Sequence, residues 1–238
     1  MVMYYFVTGA NRGIGLELVK LISSNPENFV FAATRKPESL ENLALPNVHV
    51  VKLESTSTED ALNAAKTVEE IAGGLDVVIA NAGIGNHWVD TLKTERDAIT
   101  KHFEVNVVGP VILFQALYPL LLKRQTRKFI AMSTLAASIT ILPNIPMPLS
   151  TYGSSKAALN FLTRSIHKEH IKDGFIVFPI HPGIVDTEMG QDASPFFSEG
   201  TKFITTQESA EALVKFIDKA TTEESGRFWS YDGTELPW

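Results

Sequence analysis

Cysteine is absent from all 238 residues, which excludes disulfides and thiolate metal sites. Histidine is sparse, with six copies, and no HExxH, nucleophile-elbow or paired-carboxylate pattern goes with it, so no metal is expected. His167 and His170 read as solvated residues on a polar helix face. Basic runs are missing as well: 21 Lys and Arg are dispersed among 27 Asp and Glu, for a net charge of -6. Nothing in that distribution would follow a phosphate backbone, and no nucleic-acid partner is expected. Repeats, low-complexity tracts and linkers are also lacking. The opening "MVMYYFVTG" carries no basic leader, so a secretory signal is not expected and the cytoplasm is the expected location.

One uncharged run does approach membrane-spanning length, the 18 residues from Val105 to Leu122. Asn106, Pro110, Gln115 and Pro119 interrupt it. A helix buried between a sheet and a partner subunit is apolar all round for the same reason, and that is the expected reading; no membrane partner is expected.

What is present in quantity is apolar sequence, 45% of the chain, enough for one sizeable core and a single domain over 1–238. Short apolar runs, "MYYFVTG", "FVFAATR", "VHVVKL", "DVVIANAG", "KFIAMST" and "FIVFPIHPG", alternate with longer helical patterns. Strands buried on both faces, joined through helices, imply a parallel sheet with right-handed crossovers. The expected fold is therefore α/β, a Rossmann-type doubly wound parallel sheet of about seven strands. The rhythm loosens after Gly183, where a substrate loop or lid is expected around 187–206.

Three glycines, Gly9, Gly13 and Gly15, follow the first strand in "VTGANRGIGLELV" and open the first helix. Glycines there permit a tight turn and let backbone approach a pyrophosphate held at the helix N-terminus. At the end of the second strand, "AATRKP" offers Arg35 and Lys36 where an acidic residue would accept from a free ribose hydroxyl. With Arg12 in the glycine turn, this charge points to the 2'-phosphate of NADP(H). Further on, "YGSSK" places Tyr152 and Lys156 four apart, on one helix face. A free tyrosine titrates near ~10 and a neighbouring ammonium lowers it by ~1 to 3 units, so the pair is expected to pass a proton near neutrality.

Taken together, these stretches resemble the short-chain dehydrogenase/reductase family over nearly the whole chain. "TGANRGIG" is similar to that family's cofactor turn, "NAG" at Asn81, Ala82 and Gly83 to its motif after the fourth strand, and "VNVVGP" to the stretch holding its tetrad asparagine, here Asn106. "HPGIVDT" resembles the stretch beside the nicotinamide, and "GRFWSYDGTELPW" the C-terminus of the sniffer and C-factor-like carbonyl reductase branch.

The resemblance implies that Tyr152 donates a proton to a carbonyl oxygen while NADPH delivers hydride to its carbon. It further implies that Lys156 holds the nicotinamide ribose and tunes Tyr152, and that Asn106 anchors a water. Pro182, Gly183, Val185 and Thr187 would place the nicotinamide, with Asn11 and Ile14 in the glycine turn. It also implies a homodimer or homotetramer. Where the family has Asp after the third strand this chain has "KLEST", leaving Glu54 as the only acid for that role.

The catalytic hydroxyl is the open point. Ser133, Thr134 and Ser138 all precede Tyr152, and adjacent strand residues face opposite ways, so Ser133 and Thr134 cannot both reach the substrate. The family pattern makes the second of two small polar residues catalytic, hence Thr134, with Ser133 as the rival. A hydrophobic aldehyde or ketone is the expected substrate, its walls coming from "IGNHWVD", "ITILPNIPMPLS" and the segment with Met189, Phe196 and Phe197. The competing reading is a sensor or scaffold that binds NADP(H) without turnover.

Overall fold

The computed structural model describes residues 2–238. Eight strands form one sheet in the order β3-β2-β1-β4-β5-β6-β7-β8. The first six are β1 (Met3–Thr8), β2 (Asn28–Thr34), β3 (Val48–Lys52), β4 (Val77–Ala80), β5 (Lys128–Met132) and β6 (Ile176–His181). All pair in parallel, as does β7 (Phe228–Ser230), while the two-residue β8 (Glu235–Leu236) returns antiparallel along β7. The seven parallel strands match the expected number, and β8 is a short hairpin return.

Strand alternation builds the two layers. Tyr5 and Val7 of β1 enter one apolar cluster with Leu18 and Ile22 of α1 (Gly13–Ser23) and Leu213 and Ile217 of α7 (Thr206–Lys219). Phe6 points the other way, into a cluster with Phe31, Val68 of α2 (Thr58–Ala72), and Leu117 and Leu121 of α4 (Gly109–Leu122). Phe6 and Phe31 are fully buried, each contributing about 2 kcal/mol of apolar burial. Helix α7 opens with a complete capping box, Thr205 and Glu208 bonding each other's backbone.

The long apolar run lies in a continuous helical stretch, Arg96–Leu122, which is apolar and long enough to cross a membrane by length and composition. Its α4 part packs on the sheet through Leu113, Phe114 and Leu117, as expected of a buried helix. Before α4 the stretch changes pitch: α3 (Arg96–Phe103) runs into a π-helical segment, Glu104–Val108, that carries Asn106. Such widened turns occur mostly at functional sites.

The expectation for two histidines is corrected. His167 bonds the buried Ser225 at 2.7 Å, and His170 packs among Phe114, Tyr118 and Phe175. The helix that carries them, α5 (Tyr152–His170), turns that end toward the protein rather than toward solvent.

Candidate active site

The strand ends of β1, β4, β5 and β6 converge on one edge, where the glycine turn forms a cradle. Gly9 and Gly13 take left-handed backbone conformations, at φ 64° and 54°. A Cβ at Gly15 would lie 2.2 Å from the Gly9 carbonyl oxygen, so the turn closes only without side chains. No side chain caps the N-terminus of α1, which leaves its first N–H groups open to an anion. Ile14 differs from its neighbours in the turn, since its partly buried side chain packs on the core.

The "NAG" stretch buttresses this turn. Asn81 Nδ2 donates to Thr8 O at 2.9 Å, and the Ala82 N–H donates to Thr8 Oγ1 at 2.9 Å. Gly83 leaves room for two neighbours, because a Cβ there would meet Asn106 Oδ1 at 3.1 Å and Lys156 Nζ at 3.2 Å. The residues present thus fit a dinucleotide. Arg35 is exposed at the end of β2 and enters no ion pair among the described residues, leaving it available to a phosphate.

Two further cofactor candidates have neighbours within the chain. Arg12 is paired with Glu188 of α6 (Glu188–Ala193), with both side chains largely exposed. Glu54 lies half-buried just past β3, and its backbone N–H donates to Asp60 Oδ2 at 2.9 Å. The bond engages the Asp60 carboxylate and leaves the Glu54 side chain out of it.

Across the cradle, Pro182, Gly183, Val185 and Thr187 run out of β6. Val185 is buried and bridges Ile204, and the Pro182 carbonyl accepts from Ser209 Oγ at 2.7 Å. Thr187 caps α6 by accepting from the Gly190 N–H, and its methyl lies 3.5 Å from where a Gly13 Cβ would be. The strip therefore spans from the sheet to the glycine turn.

Helix α5 carries Tyr152 and Lys156. The face carrying Ser155, Lys156, Asn160 and Thr163 is buried, a costly arrangement unless each polar group finds a partner. Lys156 Nζ donates to Met132 O at 2.8 Å, and Ser155 Oγ accepts from Asn106 Nδ2 at 3.0 Å. Asn106 also clamps the backbone of Ile84, accepting from its N–H and donating to its carbonyl, both at 2.9 Å. Its side chain is thus tied to the protein, because the π-helical turn aims the amide at the loop after β4.

The three hydroxyls part company. Ser133 Oγ donates to Asn160 Oδ1 at 2.6 Å in the core. Ser138 Oγ donates to the Trp238 carbonyl at 3.2 Å. Of the three, Thr134 alone is close enough to the Tyr152 phenol to pull its titration down, and its hydroxyl also accepts from the Ala136 N–H at 3.3 Å. Strand phase is the cause: β5 ends at Met132, and consecutive side chains leave it on opposite faces.

Electrostatics reverse one expectation. The Tyr152 phenol is not lowered by Lys156; burial pushes it up to about 12, against a smaller downward pull from Thr134. Burial likewise brings Lys156 down to about 8. The ammonium is turned to the Met132 carbonyl, and desolvation outweighs attraction at both groups.

The expected substrate walls are partly assembled. Trp88 meets the Tyr152 ring edge-to-face, with centroids 5.5 Å apart. A Cβ at Gly85 would lie 2.9 Å from the Tyr152 ring and 3.2 Å from Met189 Sδ, so Met189 sits over the same spot. Phe197 instead packs on Phe203, 5.6 Å between centroids. Sequence reasoning did not assign a role to Ser155 or Asn160. Their signal was available only in part: the i, i+3, i+4 and i+8 positions from Tyr152 share a helix face.

Comparison with known proteins agrees with this geometry. A family model described as short chain dehydrogenase matches residues 4–196. An uncharacterized oxidoreductase of Schizosaccharomyces pombe is 38% identical over 98% of this chain and 97% of its own length. The norsolorinic acid ketoreductase of Dothistroma septosporum is 34% identical, covering 98% of this chain and 92% of its own. Among solved structures, NADPH-bound carbonyl reductase from chicken fatty liver superposes with a TM-score of 0.90 at 30% identity, covering 100% of this chain and 99% of that one.

Proposed function

We propose that this chain, which belongs to the short chain dehydrogenase family, is an NADPH-dependent reductase that converts an apolar aldehyde or ketone to its alcohol. The carrying observation is the Thr134 hydroxyl beside the half-buried Tyr152, one helical turn from Lys156.

When bound, the reduced dinucleotide supplies a hydride for the carbonyl carbon. Gly9, Asn11, Gly13, Gly15 and the α1 N-terminus would hold its pyrophosphate, and Arg35 its 2'-phosphate. Asn81 and Ala82 keep that turn in shape, and Gly183 through Thr187 line the other wall.

Tyr152 gives its proton to the carbonyl oxygen. Being held up to about 12, the phenol stays fully protonated at neutral pH, as a proton donor must. Thr134 donates a second hydrogen bond to the same oxygen and fixes it beside the phenol. Lys156, brought down to about 8, titrates close to neutrality and can return a proton to the phenolate. Trp88 and Met189 shed water and present apolar surface to the substrate. The names of the chicken carbonyl reductase and the fungal ketoreductase support carbonyl reduction as the reaction.

The test is Tyr152→Phe. It should bind NADPH as the wild type does while losing reduction of every carbonyl in a panel of aldehydes, ketones and diketones. Unchanged turnover would sink the mechanism.

A further inference from the structure

A cavity of about 380 Å³ opens between α7 and the turn joining β7 to β8, at the β7–β8 edge of the sheet. That volume falls in the range of about 300–1,000 Å³ usual for small-molecule sites. Its apolar wall includes Phe216 and Tyr231, and Lys215, Lys219, Glu224 and Asp232 surround them.

The charges are not equivalent. Glu224 is bent back on its own turn, accepting from the Thr221 N–H at 2.7 Å and the Thr221 hydroxyl at 2.9 Å. Asp232 likewise accepts from the Thr234 N–H at 3.0 Å. Lys215 and Lys219, four apart on one helix face, enter no ion pair among the described residues. Nor are they needed to cap α7, since the buried Lys128 ammonium already donates to Ile217 O at 2.6 Å and Asp218 O at 2.9 Å. Two like charges at this spacing repel slightly, which an anion between them relieves.

We infer that this cavity is a binding site for a planar aromatic anion, its ring against Phe216 and Tyr231 and its carboxylate between Lys215 and Lys219. The site is not isolated from the catalytic edge. Tyr231 forms a shared wall: its N–H donates to His181 O at 2.8 Å, and its ring lies 3.0 Å from where a Gly183 Cβ would be.

The experiment is calorimetric titration with 2-naphthoate and its neutral amide, 2-naphthamide, in the presence of NADPH. Wild-type protein should bind one naphthoate per chain and bind naphthamide at least tenfold more weakly. Lys215→Gln/Lys219→Gln should weaken naphthoate at least tenfold while leaving carbonyl reduction unchanged. Ala212→Phe, at the cavity wall, should abolish naphthoate binding by filling the space. The proposal is overturned if the wild type does not bind naphthoate at millimolar concentration, if naphthamide binds equally well, or if either variant binds naphthoate like the wild type.

Discussion

Ser133 donates its hydroxyl proton to Asn160 at 2.6 Å inside the core, while Thr134, the next residue, turns its hydroxyl toward Tyr152. Two adjacent hydroxyls thus serve different ends. Ser133→Ala should cost about 1–3 kcal/mol of stability, because the buried Asn160 oxygen loses its donor, and should leave kcat nearly intact. Thr134→Ala should lower kcat by about a hundredfold with little change in stability, and Thr134→Ser should restore it. Denaturant unfolding and steady-state kinetics separate the two; the opposite pattern would put Ser133 at the substrate.

The Tyr152 and Lys156 pair makes stability depend on alkaline pH in two directions. Lys156 binds fewer protons folded than unfolded once pH passes about 8, so its contribution to stability rises with pH from there to the ordinary lysine range. Tyr152 holds its proton up to about 12, so its contribution is complete below the ordinary tyrosine value near 10 and is lost as pH climbs toward 12. Lys156→Met should flatten the rise and Tyr152→Phe the fall in a series of unfolding curves from pH 7 to 12. Curves identical to wild type would remove burial as the cause.

At the cofactor edge, Arg35→Asp should weaken NADPH by about ten- to a hundredfold, the value of a charge-assisted contact, and barely affect NADH. Equal losses for both, read by fluorescence titration, would mean that Arg35 does not meet the phosphate.

The Arg12 to Glu188 pair predicts a different response. Glu188→Gln frees the Arg12 guanidinium beside the glycine turn and should tighten NADPH severalfold at low salt, with the gain fading as salt screens it. An unchanged dissociation constant at low salt would show that Arg12 takes no part in binding.

Gly15→Ala should abolish cofactor binding, since its Cβ would fall 2.2 Å from the Gly9 carbonyl oxygen and the turn would have to open. Retained NADPH affinity in this variant would show that the turn is not the cradle.

How far the sequence could be read follows from the range of each interaction. The strands, the glycine turn and the spacing of Tyr152 with Lys156 were legible because each rests on neighbours within a few residues. The sheet order, the π-helical turn at Asn106 and the contacts of His167 were not, because they depend on what packs against them across the fold. Glu54 and Arg12 show the same limit: their partners, Asp60 and Glu188, sit on other elements.

By itself, then, the sequence determined an alternating α/β chain, the conformational freedom at Gly9 and Gly13, and a helix face with Tyr152 above Lys156. Tertiary structure alone decided which hydroxyl meets the phenol and which way the two ionisable groups shift. Strand phase turns Ser133 to Asn160 and Thr134 toward Tyr152, and desolvation raises the tyrosine and lowers the lysine. Both outcomes depend on surroundings contributed by distant segments, and no local spacing encodes them.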